Sequence, residues 1–208
     1  MRGSRFAAVG VGADSHVDTV SPVAVSVAGA ARPAVLRFLL DQGTDAIDHP
    51  GGKLFDHLLR TAVTLAGWQA PDALVAAGLV HAVYGTDGFP VALRAIDARD
   101  EVRSLIGDEA EQIVYTYAAS DRSLTWSPDA DPGRVPYRDR FTGEERVLSA
   151  GEATEYWTLT AANELDLLDR IPGAEVIIGP LEHNVVSLVP AGRDAVVAAR
   201  ARYPLATA

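Results

Sequence analysis

Three imidazoles are the first residues in this sequence whose type and spacing could do chemistry: His49, His57 and His81. Histidine titrates near neutrality, so it serves as general acid or base or as a metal ligand. Lys53 and His57 are four positions apart and share a helix face, with Arg60 on the same predicted helix. Tyr84 follows His81 by three positions, which on a helix gives it the same face and lets it protonate or orient an oxyanion. The candidate catalytic residues are therefore His57, His81 and Tyr84, and the candidate substrate-binding residues are Lys53 and Arg60.

A second chemistry is open to the same residues. His49, His57 and His81 together would suit a Zn or Fe centre with an open position. Asp56, Asp87, Glu164 or Asp166 would add an oxygen ligand, and Mn would require such oxygens. The site is thus expected to carry either one divalent metal (Fe, Zn or Mn) or none. The plain structural alternative is that His57 and His81 hydrogen-bond each other across two helices. His183 sits in a loop-like stretch and is expected to be exposed.

The elements that must position these groups read as helices. Pro33 opens one that runs up to Gly43, by its fixed φ at a first helical position. Leu54, Leu58, Thr61 and Leu65 set the helical period of a second, over about 53–67. Pro71 and Asp72 open a third through Tyr84, apolar nearly all round and so central. Ala77 and Gly78 on it let a neighbouring helix approach closely. Further helices are expected over 99–106, closed by Gly107, over 108–119, over 152–168 and over about 191–202, with a short one around 91–96. Ser149 and Glu152 form a capping box, and residues 171–190 read as loop. Residues 123–149 are rich in Pro, Gly and Asp, and alternate around Thr142 and Gly143, which predicts a small hairpin or irregular flap. Trp126 and Tyr137 on that flap could cover a pocket, whereas Trp157 reads as core. Residues 1–31 read as a flexible arm, and 32–208 as one domain. The expected fold class is all-α, a helical bundle with a flap insertion.

Composition removes several functions. The chain has 208 residues and no cysteine, which excludes disulfides, Cys-ligated zinc, iron–sulfur clusters and thiol nucleophiles. Its net charge of -10 argues against nucleic acid and anionic membranes as partners. Lys53 is the single lysine and lies outside any phosphate-binding loop motif, so Schiff-base chemistry has one possible seat. No stretch is long and apolar enough to span a membrane. A small-molecule substrate and a cytoplasmic location are expected, and the apolar helices permit a homodimer.

The ordered set of Gly51-Gly52 before His57, Ala77-Gly-Leu-Val-His81-Ala82, Ile106-Gly107 and Ala162-Asn-Glu-Leu165 resembles the HD-domain superfamily of all-α, metal-dependent phosphohydrolases. It is most similar to the guanosine tetraphosphate hydrolase type and to an uncharacterised bacterial HD-like family. The resemblance covers about residues 45–170 and implies an HD-like bundle with His57 and His81 as metal ligands. Ala82 stands where that family has its name-giving aspartate, and Asn163 where it has its distal one, which makes Asn163 a third candidate substrate-binding residue by the resemblance. Gly85 and Thr86 stand where the nearest branch has an acidic pair. With those carboxylates replaced, the leading expectation is an enzyme on a modified HD scaffold. Its histidines would isomerise, eliminate or cyclise a small polar metabolite by acid–base or single-metal chemistry. The alternatives are a metal-dependent phosphohydrolase of nucleotide-like substrates and a non-catalytic small-ligand-binding module.

Overall fold

The computed structural model describes residues 33–168 and 170–204. The expected arm over 1–31 lies outside the described residues. The fold is all-α with two small hairpins. Its helices are α1 (Pro33–Asp41), α2 (Leu54–Gly67), α3 (Asp72–Val80), α4 (Arg99–Ile106), α5 (Asp108–Ala119), α6 (Arg122–Thr125), α7 (Ala150–Leu165), α8 (Ile178–His183) and α9 (Pro190–Arg202). Strands β1 (Asp48–His49) and β2 (Gly52–Lys53) pair tightly ahead of α2, and β3 (Pro136–Arg138) pairs with β4 (Glu145–Val147). No helix among the described residues is long and apolar enough to cross a membrane.

Helix α3 is the centre of the bundle. Its sequence has no polar face, and it packs against α2, α5 and α7. Gly78 permits the close approach to α2: a Cβ there would lie 2.5 Å from Leu65 Cδ1. Helix α2 buries Leu54, His57, Leu58, Thr61 and Leu65, the period expected of it. Helix α7 begins with the expected capping box of Ser149 and Glu152 and carries Trp157, which is fully buried.

Three expectations need correction. The central helix ends at Val80, four residues early, because His81 Nδ1 donates to the Gly78 carbonyl at 2.8 Å and residues 81–84 continue as turns. No helix forms around 91–96; instead Leu93 and Arg94 donate their backbone N–H groups to the Val83 carbonyl, and a 3₁₀ turn covers Ile96–Ala98. The stretch 171–190 is not a loop: it holds α8 between two 3₁₀ turns, and His183 bonds the Ala130 carbonyl rather than lying free.

The hairpin predicted around Thr142 and Gly143 forms, with Tyr137 opposite Arg146. It packs against the core and lines a separate cavity of about 220 Å³ with Tyr137, Asp139, Thr142, Glu144 and Arg146, and does not cover the histidines. Tyr137 is buried and donates to the Thr116 carbonyl of α5, and Val135 and Leu148 join the same core. Trp126 turns inward too, donating to the Tyr156 hydroxyl at 2.9 Å.

Candidate active site

Helices α2 and α7 pack with polar residues between them, and the first contact is His57 with Asp166. Both nitrogens of the fully buried His57 ring face oxygen acceptors: Nδ1 lies 2.8 Å from Asp166 Oδ2, and Nε2 lies 2.8 Å from Asn163 Oδ1. Asn163 is oriented by Glu164, which accepts from its Nδ2 at 3.0 Å. The carbonyl of Asn163 must therefore face His57, and the ring satisfies both contacts only when each nitrogen carries a hydrogen. Arg60 closes the far side of Asp166 with a two-pronged contact, Nε to Oδ1 at 2.6 Å and Nη2 to Oδ2 at 2.9 Å. Burial pushes the Asp166 carboxyl up, but the hydrogen bonds from His57 and Arg60 outweigh it and hold it well below the ordinary range.

The other two imidazoles are arranged differently. His49, at the end of β1, stacks on His57 with ring centroids 4.1 Å apart and 16° between planes. His81 meets His57 edge-on at 5.2 Å and Tyr117 edge-on at 5.7 Å. Burial, then the charge on His57, holds His49 down to about 4 and His81 down to about 3. Both rings are therefore neutral at pH 7. His49 Nδ1 is engaged by the Pro50 carbonyl and His81 Nδ1 by that of Gly78, so each ring keeps Nε2 as its bare lone pair.

A cavity of about 100 Å³ opens between these elements, with exposed Pro50 and Gly88 at its rim. His49, His81, Tyr117, Arg122, Asn163 and Glu164 line it, together with Thr86 and Phe89. Arg122, at the start of α6, donates to Glu164 Oε1 at 2.9 Å and to the Tyr117 hydroxyl at 3.1 Å. Burial pushes the Tyr117 phenol up, so it keeps its proton, and no described residue accepts that proton. The wall thus offers two imidazole lone pairs and a polarised phenol. A larger groove of about 440 Å³ lies beside α1, α3 and α5, but its titratable residues are three carboxylates, Asp72, Asp108 and Glu109.

The structure brings His49, His57, His81 and Asn163 together as expected, and separates the other candidates from them. Tyr84 does not share His81's surroundings. Because the helix has ended, its hydroxyl points away to the fully buried Glu111, which Arg99 and Arg103 also hold. Lys53 turns outward to Asp48 at 2.6 Å. Arg60 binds Asp166 and does not line the cavity. The expected metal trio His49, His57 and His81 is also corrected. Ring lone pairs lie in the ring plane, so the two stacked rings do not aim them at one point. The His57 nitrogens are also spent on Asp166 and Asn163. No group of three or more His, Asp or Glu side chains among the described residues is placed to hold a metal ion. The residues therefore do not fit the Fe, Zn or Mn that the HD resemblance implies.

Tyr117 and Arg122 line the cavity and were not among the residues singled out from the sequence. Tyr117 carried a signal, since it recurs with Ile113 and Val114 on the buried face of α5. Arg122 carried none: its partner Glu164 lies 42 positions away.

The model of a family described as a domain of unknown function (DUF6817) matches residues 38–122. That span holds His49, His57, His81, Tyr117 and Arg122, and stops short of Asn163, Glu164 and Asp166. No curated protein and no solved structure matches the chain.

Proposed function

We propose that this chain is a small-molecule enzyme on an HD-like scaffold whose metal chemistry has been replaced by proton transfer. The observation that carries this reading is that His81, with a bare Nε2, and Tyr117, with a protonated hydroxyl, pack edge-on at 5.7 Å and line the same small cavity. His81 takes a proton from a carbon beside a substrate carbonyl. The C–H electron pair becomes the C=C bond, the C=O π pair moves onto oxygen, and Tyr117 donates a hydrogen bond to that oxygen. Where the deprotonated carbon bears a hydroxyl, the O–H proton passes to the enolate oxygen and the O–H electron pair becomes the new C=O. The C=C pair then takes the proton back from His81 at the former carbonyl carbon, which completes an isomerisation. Where the next carbon bears a leaving group, the oxygen pair reforms C=O and the C=C pair moves to the bond between the deprotonated carbon and that next carbon. The group departs with its bonding pair, which completes an elimination.

Energetics favour this division of labour. A buried imidazolium beside the charged His57 is costly in the free protein. The cost is offset only when negative charge develops on substrate oxygen in the same cavity, so the environment discriminates for the transition state. Arg122 draws electron density from the Tyr117 oxygen and sharpens its hydrogen-bond donation. His57, Asp166 and Arg60 act as positioning residues: they do not meet the substrate, but fix His49 and keep His81 neutral.

The test is proton exchange. Small carbonyl compounds in D₂O are followed by proton NMR with wild type, His81→Gln and Tyr117→Phe. Accelerated loss of α-protons with wild type, falling at least a hundredfold in either variant while both stay folded, supports the reading. Equal exchange by all three proteins overturns it.

A further inference from the structure

The geometry points to a neutral short-chain hydroxy-carbonyl compound as the substrate class of this cavity, an inference that rests on the proton-transfer reading above. Charge is the first argument. The cation at the wall, Arg122, is already matched by Glu164 at 2.9 Å, and His57 behind the wall is matched by Asp166 at 2.8 Å. Arg60 and Lys53 lie off the wall, each against a carboxylate. Glu164 is in turn taken up by Arg122 and Asn163. An anionic ligand would find no described cation to pair with, and a cationic one no uncommitted carboxylate, so each would lose its water without recompense.

Hydrogen-bonding complementarity is the second. The Nε2 atoms of His49 and His81 accept, so the ligand must bring a donor, which a hydroxyl supplies. The Tyr117 hydroxyl donates, so the ligand must bring an acceptor, which a carbonyl supplies. Thr86 Oγ1 accepts from the Phe89 N–H and retains its own hydrogen for a second contact of that kind. Phe89, Pro50, Ala82 and Leu167 give the remaining wall carbon to touch. Size is the third: a cavity of about 150 Å³ takes benzene, so one of about 100 Å³ takes a ligand of two to four carbons.

Hydroxyacetone, glycolate and inorganic phosphate separate the possibilities. Each is titrated into protein labelled at histidine and tyrosine, and shifts of the His81 and Tyr117 ring signals are read by NMR. The inference expects saturable shifts with hydroxyacetone, at least tenfold tighter than with glycolate or phosphate, and at least tenfold weaker in His81→Gln. Binding of glycolate or phosphate as tight as hydroxyacetone, or binding of none of the three, overturns it. Deuterium exchange into hydroxyacetone and into pyruvate keeps the two claims apart. Selective binding of hydroxyacetone without exchange sustains the substrate class and overturns proton transfer. Exchange into pyruvate but not hydroxyacetone overturns the substrate class and sustains proton transfer.

Discussion

His57 and Asp166, 109 positions apart, meet at 2.8 Å between helix α2 and the end of α7, with Arg60 gripping the same carboxylate from the other side. One buried carboxylate thus serves two cations at hydrogen-bond distance, with Arg170 Nε beyond them at 3.5 Å. Asp166→Asn leaves both without it, and breaking such a pair costs about 3–5 kcal/mol. Urea unfolding should show a loss in this range. A loss below about 1 kcal/mol would mean that water already screens the contact.

Acid should unfold this protein unusually early. Burial, then the His57 charge, holds His81 near 3 in the folded state, whereas the unfolded chain protonates it near 6.5. Between those values the unfolded state binds the extra proton, so stability present above about pH 6.5 is lost as pH falls, at about 1.4 kcal/mol per pH unit for this group. His49 titrates in the same direction down to about 4. Asp166 is held low when folded, so its contribution is present above 3.8 and is lost at still lower pH. Melting temperatures from pH 7 to pH 4 should fall steeply, and less so in His81→Gln. A flat profile would contradict the neutral, buried state of this ring.

Gly78 is where sequence controls helix separation. An added Cβ would meet Leu65 Cδ1 at 2.5 Å and Ala62 Cα at 3.6 Å, so Gly78→Ala should push α3 from α2 and cost about 1–3 kcal/mol. The double change with Leu65→Ala should cost less than the sum of the two singles. Additive losses would show that the two helices do not meet there.

The bundle was legible because apolar spacing reports helices directly: α2, α4, α5 and α9 lie within a residue or so of their expected bounds. The end of α3 was not legible, since an apolar run past Val80 looks helical until His81 turns back onto the Gly78 carbonyl. With residues 81–84 in turns, Tyr84 reaches Glu111 and not the site. The imidazole cluster was readable from three histidines in one stretch. Its wiring was not, because Asp166, Asn163 and Glu164 reach it only through the packing of α7 against α2.

Two tyrosines should therefore behave oppositely. Tyr84→Phe removes one hydrogen bond from a glutamate that keeps two arginines, costing about 1 kcal/mol of stability and no activity. Tyr117→Phe removes the hydrogen bond that Arg122 donates to it, costing about 1 kcal/mol as well, but should lower turnover about 10²–10³-fold. Parallel melting curves and exchange rates check both. A Tyr84→Phe enzyme as impaired as Tyr117→Phe would return Tyr84 to the site.

The most direct measurement is the protonation of the imidazoles themselves, read at pH 7 from ¹⁵N-labelled histidine side chains by long-range ¹H–¹⁵N NMR. His57 should show both nitrogens protonated, and His81 should be neutral, with hydrogen on Nδ1 and a bare Nε2. A charged His81, or a His81 carrying its hydrogen on Nε2, would remove the lone pair on which the proposed chemistry depends.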